Sequence, residues 1–196
     1  MSLSSNIYMG LPATARYCFW RSACMSIIAL LSFIGVCAQP KPGGERITLE
    51  LPSNYRWKSK KILKETKGIR GTLLHVMGRQ VNSTPVDSIT ITTIDHRYYP
   101  LKAEGTAEEK LTYIQNRCPE ATLDVVEQET IYSRVAILYT ISGVDRSGGC
   151  GSSTLLSYVV EGPTALHTIE LYIPSERYSQ EIFDTWCAIL LRAKIT

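Results

Sequence analysis

The part of this sequence best suited to chemistry is a glycine-rich run around one cysteine, residues 147–153 (SGGCGSS). Glycines beside a nucleophile free backbone N–H groups that can stabilise an oxyanion. A Cys150 thiolate paired in space with His96 or His167 would act as the nucleophile of a thiol-dependent hydrolase. However, a predicted strand follows this run, whereas a helix follows a nucleophile elbow, and no G-x-S-x-G motif occurs. A disulfide-tied or flexible hairpin loop is therefore the favoured interpretation, with the hydrolase as an alternative hypothesis.

Other catalytic and metal-binding groups are sparse. The chain has three histidines, His75, His96 and His167, and no two of them have the short spacing of metal ligands. Neither a C-x-x-C nor an H-E-x-x-H motif is present. We therefore predict no metal site, no cofactor and no catalytic residues, and expect a non-enzymatic protein.

Residues 1–38 have the features of a secretory signal peptide. Two arginines precede an apolar run, Cys24–Val36, and the small side chain of Ala38 predicts cleavage after this residue. The run is too short for a spanning helix, which needs about 20 residues. The alternative is a lipoprotein signal with Cys37 as the lipidated residue, although Val36 suits that position poorly. We predict export to the periplasm or the extracellular space, with a membrane-anchored lipoprotein as the alternative.

The cysteine count fits an oxidising compartment. Of the six cysteines, Cys118, Cys150 and Cys187 lie beyond the predicted signal peptide. An odd number suggests one disulfide and one buried thiol. Cys187 falls in the apolar register of the last predicted helix, which favours Cys118 and Cys150 as the bonded pair, although the spacing alone leaves other pairings open.

Two segments are candidate contact surfaces. Residues 56–70 contain seven basic side chains against Glu65 alone, and a patch for an anionic ligand or surface would use Lys58, Lys60, Lys61 and Lys64. The favoured alternative is an edge hairpin whose lysines prevent unwanted strand pairing. The second candidate is a polar and aromatic surface that includes Tyr98 and Tyr99. An ordinary exit from a strand is the competing interpretation.

Charge balance argues against nucleic acid as a partner. The full chain has 21 basic and 18 acidic side chains, and two of the basic ones, Arg16 and Arg21, lie in the predicted signal peptide. The remainder is close to neutral, and few aromatic residues interleave with the lysines of residues 56–70.

Hydrophobic periodicity predicts one α+β domain over residues 46–196, after a flexible leader of residues 39–45. Period-two alternation predicts strands at Ile47–Leu51, Gly71–Met77, Ser88–Ile94 and Ala121–Glu129, then a meander of Thr130–Ser142, Thr154–Glu161 and Ala165–Ile173. Two amphipathic helices are predicted, the first at Thr106–Arg117 with Thr106 in a capping box, the second capped by Ser175. The predicted fold is an antiparallel β-sheet meander with both helices packed on it.

This order of elements resembles the PsbP-like, or Mog-type, α/β/α sandwich family. The resemblance rests on a first strand followed by Pro52 and Trp57, the helix Thr106–Arg117, the meander, and a last helix after Pro174 that contains Ala188-Ile189-Leu190-Leu191. Tyr132-Ser133 departs from the small residue, often glycine, that is usual where the chain enters the meander. The family includes an extrinsic photosystem subunit, a Ran-binding protein and bacterial envelope proteins.

The resemblance implies scaffold and binding roles and no shared catalytic residues. The expected function is therefore that of an exported, non-enzymatic domain that binds a protein partner or supports an envelope assembly.

Overall fold

The computed structural model describes residues 44–77, 85–131, 134–147 and 149–196. The predicted signal peptide and most of the predicted leader lie outside these residues. The described strands are β1 Ile47–Thr48, β2 Trp57–Thr66, β3 Ile69–Val76, β4 Ser88–Asp95, β5 Thr122–Ile131, β6 Arg134–Val144, β7 Cys150–Glu161, β8 Ala165–Pro174 and β9 Lys194–Ile195. The helices are α1 Thr106–Gln115 and α2 Gln180–Leu191, and a 3-10 turn covers Ser175–Arg177.

Seven strands form one antiparallel sheet in the order β2-β3-β4-β8-β7-β6-β5. The strands β6 to β8 form the predicted meander, and β5, which corresponds to the predicted strand Ala121–Glu129, pairs with β6. On the other side, β4 pairs with β8, so that the strands β2 to β4 extend the same sheet. The short strands β1 and β9 form a separate two-stranded sheet. With two helices packed on the large sheet, the predicted α+β fold class is confirmed.

The two helices cover opposite faces of the sheet. Side chains alternate along a strand, so Ile137, Tyr139 and Ile141 of β6 belong to the core cluster that includes residues of α1. Their neighbours Ala136 and Leu138 belong to the cluster that contains Trp186, Cys187 and Leu190 of α2. We call these the α1 face and the α2 face. The side chains of β6 are apolar on both faces of the strand because a helix covers each face of the sheet.

The tryptophans join the first part of the chain to α2. The Trp57 and Trp186 rings meet edge to face with centroids 6.2 Å apart. The indole of Trp57 donates a hydrogen bond of 3.3 Å to the carbonyl of Pro52. The apolar part of the Trp57 ring thus packs against Trp186 while its N–H is hydrogen-bonded, which explains why a large ring follows the turn at Pro52.

The predicted first strand of the meander, Thr130–Ser142, has the wrong beginning. Thr130 pairs with Val135, and Ile131 pairs with Arg134, so the chain reverses between Ile131 and Arg134. Thr130 and Ile131 belong to β5, and β6 begins at Arg134. The prediction failed because the reversal has no Gly, Pro, Asn or Asp to mark it.

Both predicted helix caps are also wrong. Gly105, in the left-handed conformation, is the N-cap of α1, and the Thr106 hydroxyl donates to the carbonyl of Ala103 at 2.7 Å. The N-cap of α2 is Ser179, whose hydroxyl accepts a 3.3 Å hydrogen bond from the Ile182 amide. Ser175 instead begins the 3-10 turn. In the part of the chain that the structure describes, no helix combines the length and hydrophobicity needed to cross a membrane.

A disulfide joins Cys118, just after α1, to Cys150 at the start of β7, with their Cα atoms 4.9 Å apart. Cys187 is a free, buried thiol on α2, and burial raises its pKa to about 11. The structure therefore contains the pair favoured by the sequence. The bond closes a loop with a sequence separation of 32 residues and ties the end of α1 to the sheet.

We expect the variant Cys118→Ser with Cys150→Ser to lose about 3–4 kcal/mol of unfolding free energy, because the unfolded chain regains the entropy that the closed loop removes. Urea unfolding at pH 7 measures this loss. Reductant should lower the wild-type midpoint to that of the variant and leave the variant unchanged. An identical wild-type midpoint with and without reductant would contradict a stabilising disulfide.

Candidate functional site

Three polar side chains from distant parts of the chain form a buried line of hydrogen bonds. His167 of β8 is completely buried, on the side of the strand that also carries Ile169 and Leu171. Its Nε2 lies 3.0 Å from Oε1 of Glu45, and its Nδ1 lies 3.0 Å from Oγ1 of Thr93. A neutral imidazole satisfies both partners when Nε2–H donates to the carboxylate and Nδ1 accepts from the hydroxyl.

The second carboxylate oxygen of Glu45 binds the turn between β7 and β8. Oε2 accepts hydrogen bonds from the amide and the hydroxyl of Thr164, at 2.7 and 2.6 Å. A Cβ atom on Gly162 would lie 1.4 Å from Oε1, so only glycine leaves room for the carboxylate. We call Glu45, Thr93, Thr164 and His167 the Glu45 latch. It fixes the segment before β1 to the large sheet.

The order hydroxyl, imidazole, carboxylate is that of a serine-hydrolase triad. In this conformation, however, the Thr93 side chain is buried with its residue 7% exposed, and His167 has no exposed surface. A substrate cannot reach the hydroxyl while the latch is closed. Burial lowers the pKa of His167, and this effect outweighs the opposite effect of the nearby Glu45 carboxylate. The imidazole is therefore neutral near pH 7. The arrangement is therefore suited to fastening two segments together.

Residues 96–102, between β4 and α1, form an exposed apolar surface that we call the aromatic loop. Tyr98 is 55% exposed, Tyr99 37% and Leu101 44%. The guanidinium of Arg97 binds both carboxylate oxygens of Asp95 at the end of β4, with distances of 2.6–3.1 Å. This guanidinium also lowers the pKa of Asp95. The predicted residues Tyr98 and Tyr99 therefore follow each other on a loop whose first part is fixed to β4 by the Arg97–Asp95 hydrogen bonds.

The Tyr98 ring packs against the turn between β2 and β3. Gly68 in that turn has φ of +86°, and a Cβ atom there would lie 2.3 Å from Cδ2 of Tyr98. The Arg97 guanidinium lies 5.5 Å from the centroid of the same ring. Contacts on two sides thus hold Tyr98 in place although much of its surface is exposed.

The three predicted lysines whose side chains the structure describes do not all lie on one face of their strand. Lys58, Lys60 and Lys61 are exposed on β2, which is an edge strand of the large sheet. Alternation along the strand places Lys61 on the opposite face from Lys58 and Lys60, and the pairing with β3 is irregular between Lys61 and Leu63. Lys64 belongs to β2, but its side chain lies outside the described residues. This placement matches the favoured interpretation of a lysine-bearing edge.

The glycine-rich segment does not present a reactive thiol. Cys150 is bonded to Cys118, and a disulfide sulfur is not a thiolate nucleophile, so the hydrolase hypothesis has no support in the oxidised chain. His75 is half-buried on β3, and His96 follows β4. No group of three or more His, Cys, Asp or Glu side chains within the described ranges could hold a metal ion.

Sequence reasoning missed the Glu45 latch. The available signal was the position of His167, which shares the apolar alternation of β8 with Ile169 and Leu171. A histidine in that register predicts a buried imidazole that needs hydrogen-bonding partners. Nothing in the sequence identified Glu45, which was assigned to the leader, as one of them.

No family model matches the sequence, and no curated protein is significantly similar to it. Among solved structures, the chain is similar to cyanobacterial PsbP (CyanoP) from Synechocystis sp. PCC 6803, whose structure was determined in solution. The TM-score is 0.49 and the sequence identity is 9%, over 83% of this chain and 99% of that chain. A likeness at this level carries no inference about function, and it does not concern Mog-type proteins.

The buried imidazole predicts a specific loss of stability in acid. The pKa of His167 is lower in the folded chain, so the unfolded chain takes up its proton first as the pH falls through about 6.5. The contribution of His167 to the free energy of unfolding should be constant above this pH. Below it, this contribution should fall by at most about 1.4 kcal/mol per pH unit. Urea unfolding between pH 8 and pH 5 measures the loss.

The variant His167→Gln should lose this component of the pH dependence. His75→Gln is the matched control. It leaves Glu45 and His167 in place and should therefore retain the component of the pH dependence that His167 produces. Equal pH profiles for the wild type and His167→Gln would show that the imidazole is not held neutral.

Packing of Tyr98 on Gly68 predicts unequal effects of two glycine substitutions. Gly68 and Gly105 both have positive φ, at +86° and +79°, but no atom lies within 4 Å of a Cβ built on Gly105. We expect Gly105→Ala to cost about 1–2 kcal/mol of unfolding free energy through backbone strain alone. Gly68→Ala should cost at least about 1 kcal/mol more, because the Tyr98 ring must move.

Adding Tyr98→Ala should remove the extra cost at Gly68 and leave the cost at Gly105 unchanged. Thermal and urea unfolding of the single and double variants test this coupling. Equal losses for the two alanine variants would contradict the packing of Tyr98 on Gly68.

Proposed function

We propose that this chain is an exported, non-enzymatic domain that binds a protein partner through the aromatic loop. The observation that carries this proposal is the exposure of Tyr98, Tyr99 and Leu101 on a loop whose base is held by hydrogen bonds. Tyrosine is enriched among the residues that contribute most to protein interfaces, and adjacent exposed apolar side chains mark such surfaces.

The fixed conformation of the loop favours binding. The Tyr98 and Tyr99 amides both donate to the carbonyl of Asp95 at 3.1 Å, and the Leu101 amide donates to the carbonyl of Tyr99 at 2.8 Å. Ordering flexible side chains and loops on association costs free energy, and a loop that is already ordered avoids much of this cost.

Charges around the loop indicate what kind of partner it would accept. Arg97 and Lys102 both lie in this loop. Each is paired with a carboxylate of the chain, Asp95 at 2.6 Å and Glu161 at 3.9 Å, but their side chains remain 50% and 74% exposed. Basic groups at the rim of an apolar surface favour an acidic partner by electrostatic complementarity. A partner segment that combines apolar and acidic side chains therefore fits the loop best.

Export is supported by the predicted signal peptide and by the Cys118–Cys150 disulfide, since such bonds persist mainly in oxidising compartments. The partner would then be an envelope or extracellular protein. The alternative of an anionic-surface binder at residues 56–70 has less support, because Lys61 projects from the face opposite to Lys58 and Lys60.

A photo-crosslinking amino acid at Tyr98 or Leu101, in cells that export the full chain, should give one discrete adduct of the same size. Tyr113 on α1 is the matched control, because it is 56% exposed and has the Arg117 guanidinium 5.4 Å from its ring centroid. We expect no such adduct from Tyr113. Gel electrophoresis and mass spectrometry of the adduct measure the result.

The double variant Tyr98→Ala with Tyr99→Ala should reduce binding of the identified partner at least about tenfold, as loss of hot-spot residues does. The same adduct from Tyr98 and Tyr113, or no adduct from either loop position, would contradict the proposal.

A further inference from the structure

An open cleft of about 640 Å³ lies on the α2 face, between strands β5 to β7 and the segment that leads into α2. Its volume is within the range of about 300–1,000 Å³ that is common for small-molecule sites. The cleft lies near Pro174 at the end of β8, whereas the aromatic loop follows Asp95, which pairs with Ala165 at the start of β8. The two surfaces are therefore at opposite ends of this strand.

The floor of the cleft is polar, whereas the adjoining part of the α2 face on β6 and β7 is apolar. Asp124 pairs with Thr140, and Ser142 pairs with Thr154, so these four side chains lie together on neighbouring strands. Further along the same face, β6 and β7 contribute the buried apolar residues Ala136, Leu138, Leu156 and Tyr158. The sequence thus changes from apolar to polar residues where the strands enter the cleft.

Thr140 is the most informative residue of this floor. It is only 6% exposed, yet it lines the cleft. Because the cleft is open, water can reach its lining, and a bound molecule that replaces this water must offer the hydroxyl a hydrogen-bonding partner. The hydroxyl therefore suits a site in which a ligand supplies the hydrogen-bonding partner.

Two aromatic rings contribute to the wall. Tyr178, just before α2, and Phe183, within α2, both line the cleft, and their ring centroids are 5.9 Å apart with an angle of 38° between the planes. Tyr178 is 43% exposed, so its ring is accessible to a bound molecule. An aromatic surface beside hydroxyl groups combines apolar contact with polar recognition.

The charges of the cleft select among ligand classes. Asp124 is the one charged residue of the described lining, and it disfavours an anion. The amino-terminal end of α2 carries partial positive charge, which disfavours a cation. Hydroxyl groups both donate and accept hydrogen bonds, and Asp124 accepts them, so a neutral ligand with many hydroxyl groups matches the floor.

We propose that this cleft binds a neutral oligosaccharide. The ligand would lie with its hydroxyl groups on Asp124, Thr140, Ser142 and Thr154 and with a C–H face of one sugar ring against Tyr178. This binding activity is independent of the aromatic loop and adds a second recognition site to the domain.

The test is NMR titration of the ¹⁵N-labelled disulfide-bonded chain with maltotriose, cellotriose and tri-N-acetylchitotriose, each to about 10 mM, which is ten times the Kd of a millimolar binder. At least one of them should give saturable shifts of the amides of the cleft floor and of residues 178–183. Choline and trigalacturonate are the cationic and anionic comparison ligands and should give none there.

Thr140→Val should weaken the binding about tenfold, because it removes one hydrogen bond and preserves the side-chain volume. Thr168→Val is the matched control, because Thr168 is half-buried on β8 on the opposite face, between Leu166 and Tyr172 of the α1-face cluster. It should retain wild-type affinity. The NMR spectrum of each variant shows directly whether it is folded.

The proposal is overturned if no neutral trisaccharide gives saturable shifts in the cleft, or if only choline or trigalacturonate does. Equal affinities of the wild type and Thr140→Val would also overturn it, since the sugar would then bind elsewhere. None of these results depends on whether the aromatic loop binds a protein.

Discussion

The pairing of β4 with β8 is the interaction on which the rest of the structure depends. It joins Ile89 to Leu171 at one end and Asp95 to Ala165 at the other, residues that are 82 and 70 positions apart in the chain. Without it, the strands β2 to β4 and the meander would be separate sheets. The same register sets Thr93 beside His167, so the Thr93–His167 hydrogen bond of the Glu45 latch exists only when this long-range pairing has formed. Closing so long a loop costs entropy, which the apolar contacts between the two helices and the completed sheet must offset.

The ends of the described domain are fastened to each other and to this sheet. β1 pairs with β9, and Arg46 and Thr196 exchange two backbone hydrogen bonds of 2.9 and 2.8 Å. Glu45, one residue earlier, then reaches the turn between β7 and β8. A buried carboxylate and imidazole are expensive to desolvate, so apolar residues of similar volume could be as stable. What the polar set adds is a defined position, since Oε1 of Glu45 is bound to His167 and Oε2 to Thr164.

Elements that follow from local sequence patterns could be predicted, and those that depend on distant partners could not. Alternation in β7 and β8 and the apolar stripe of α2 were sufficient for the fold class, because one-sided or two-sided burial leaves a direct periodic signal. The reversal after Ile131 has only Ser133 as a turn-forming residue type and carries no Gly, Pro, Asn or Asp. The helix starts at Gly105 and Ser179 compete with nearby Thr106 and Ser175 for the same role. In the candidate sites, Tyr98 and Tyr99 could be proposed as exposed loop residues, but Gly68, which positions the ring, belongs to another turn. The latch combines residues 74 and 122 positions apart, and no local pattern encodes such a contact.

A hydrogen bond between His96 and Thr164 links the aromatic loop to the Glu45 latch. The amide of His96, the first residue of the loop, donates a 2.9 Å hydrogen bond to the carbonyl of Thr164. The amide and hydroxyl of the same Thr164 bind the Glu45 carboxylate. Any movement of Glu45 therefore frees two donors on the residue that anchors the loop, whereas the closed latch holds that anchor still. A surface that is ordered before it binds a partner requires such an anchor. Buried polar groups suit this role better than apolar packing does, because apolar packing tolerates small displacements.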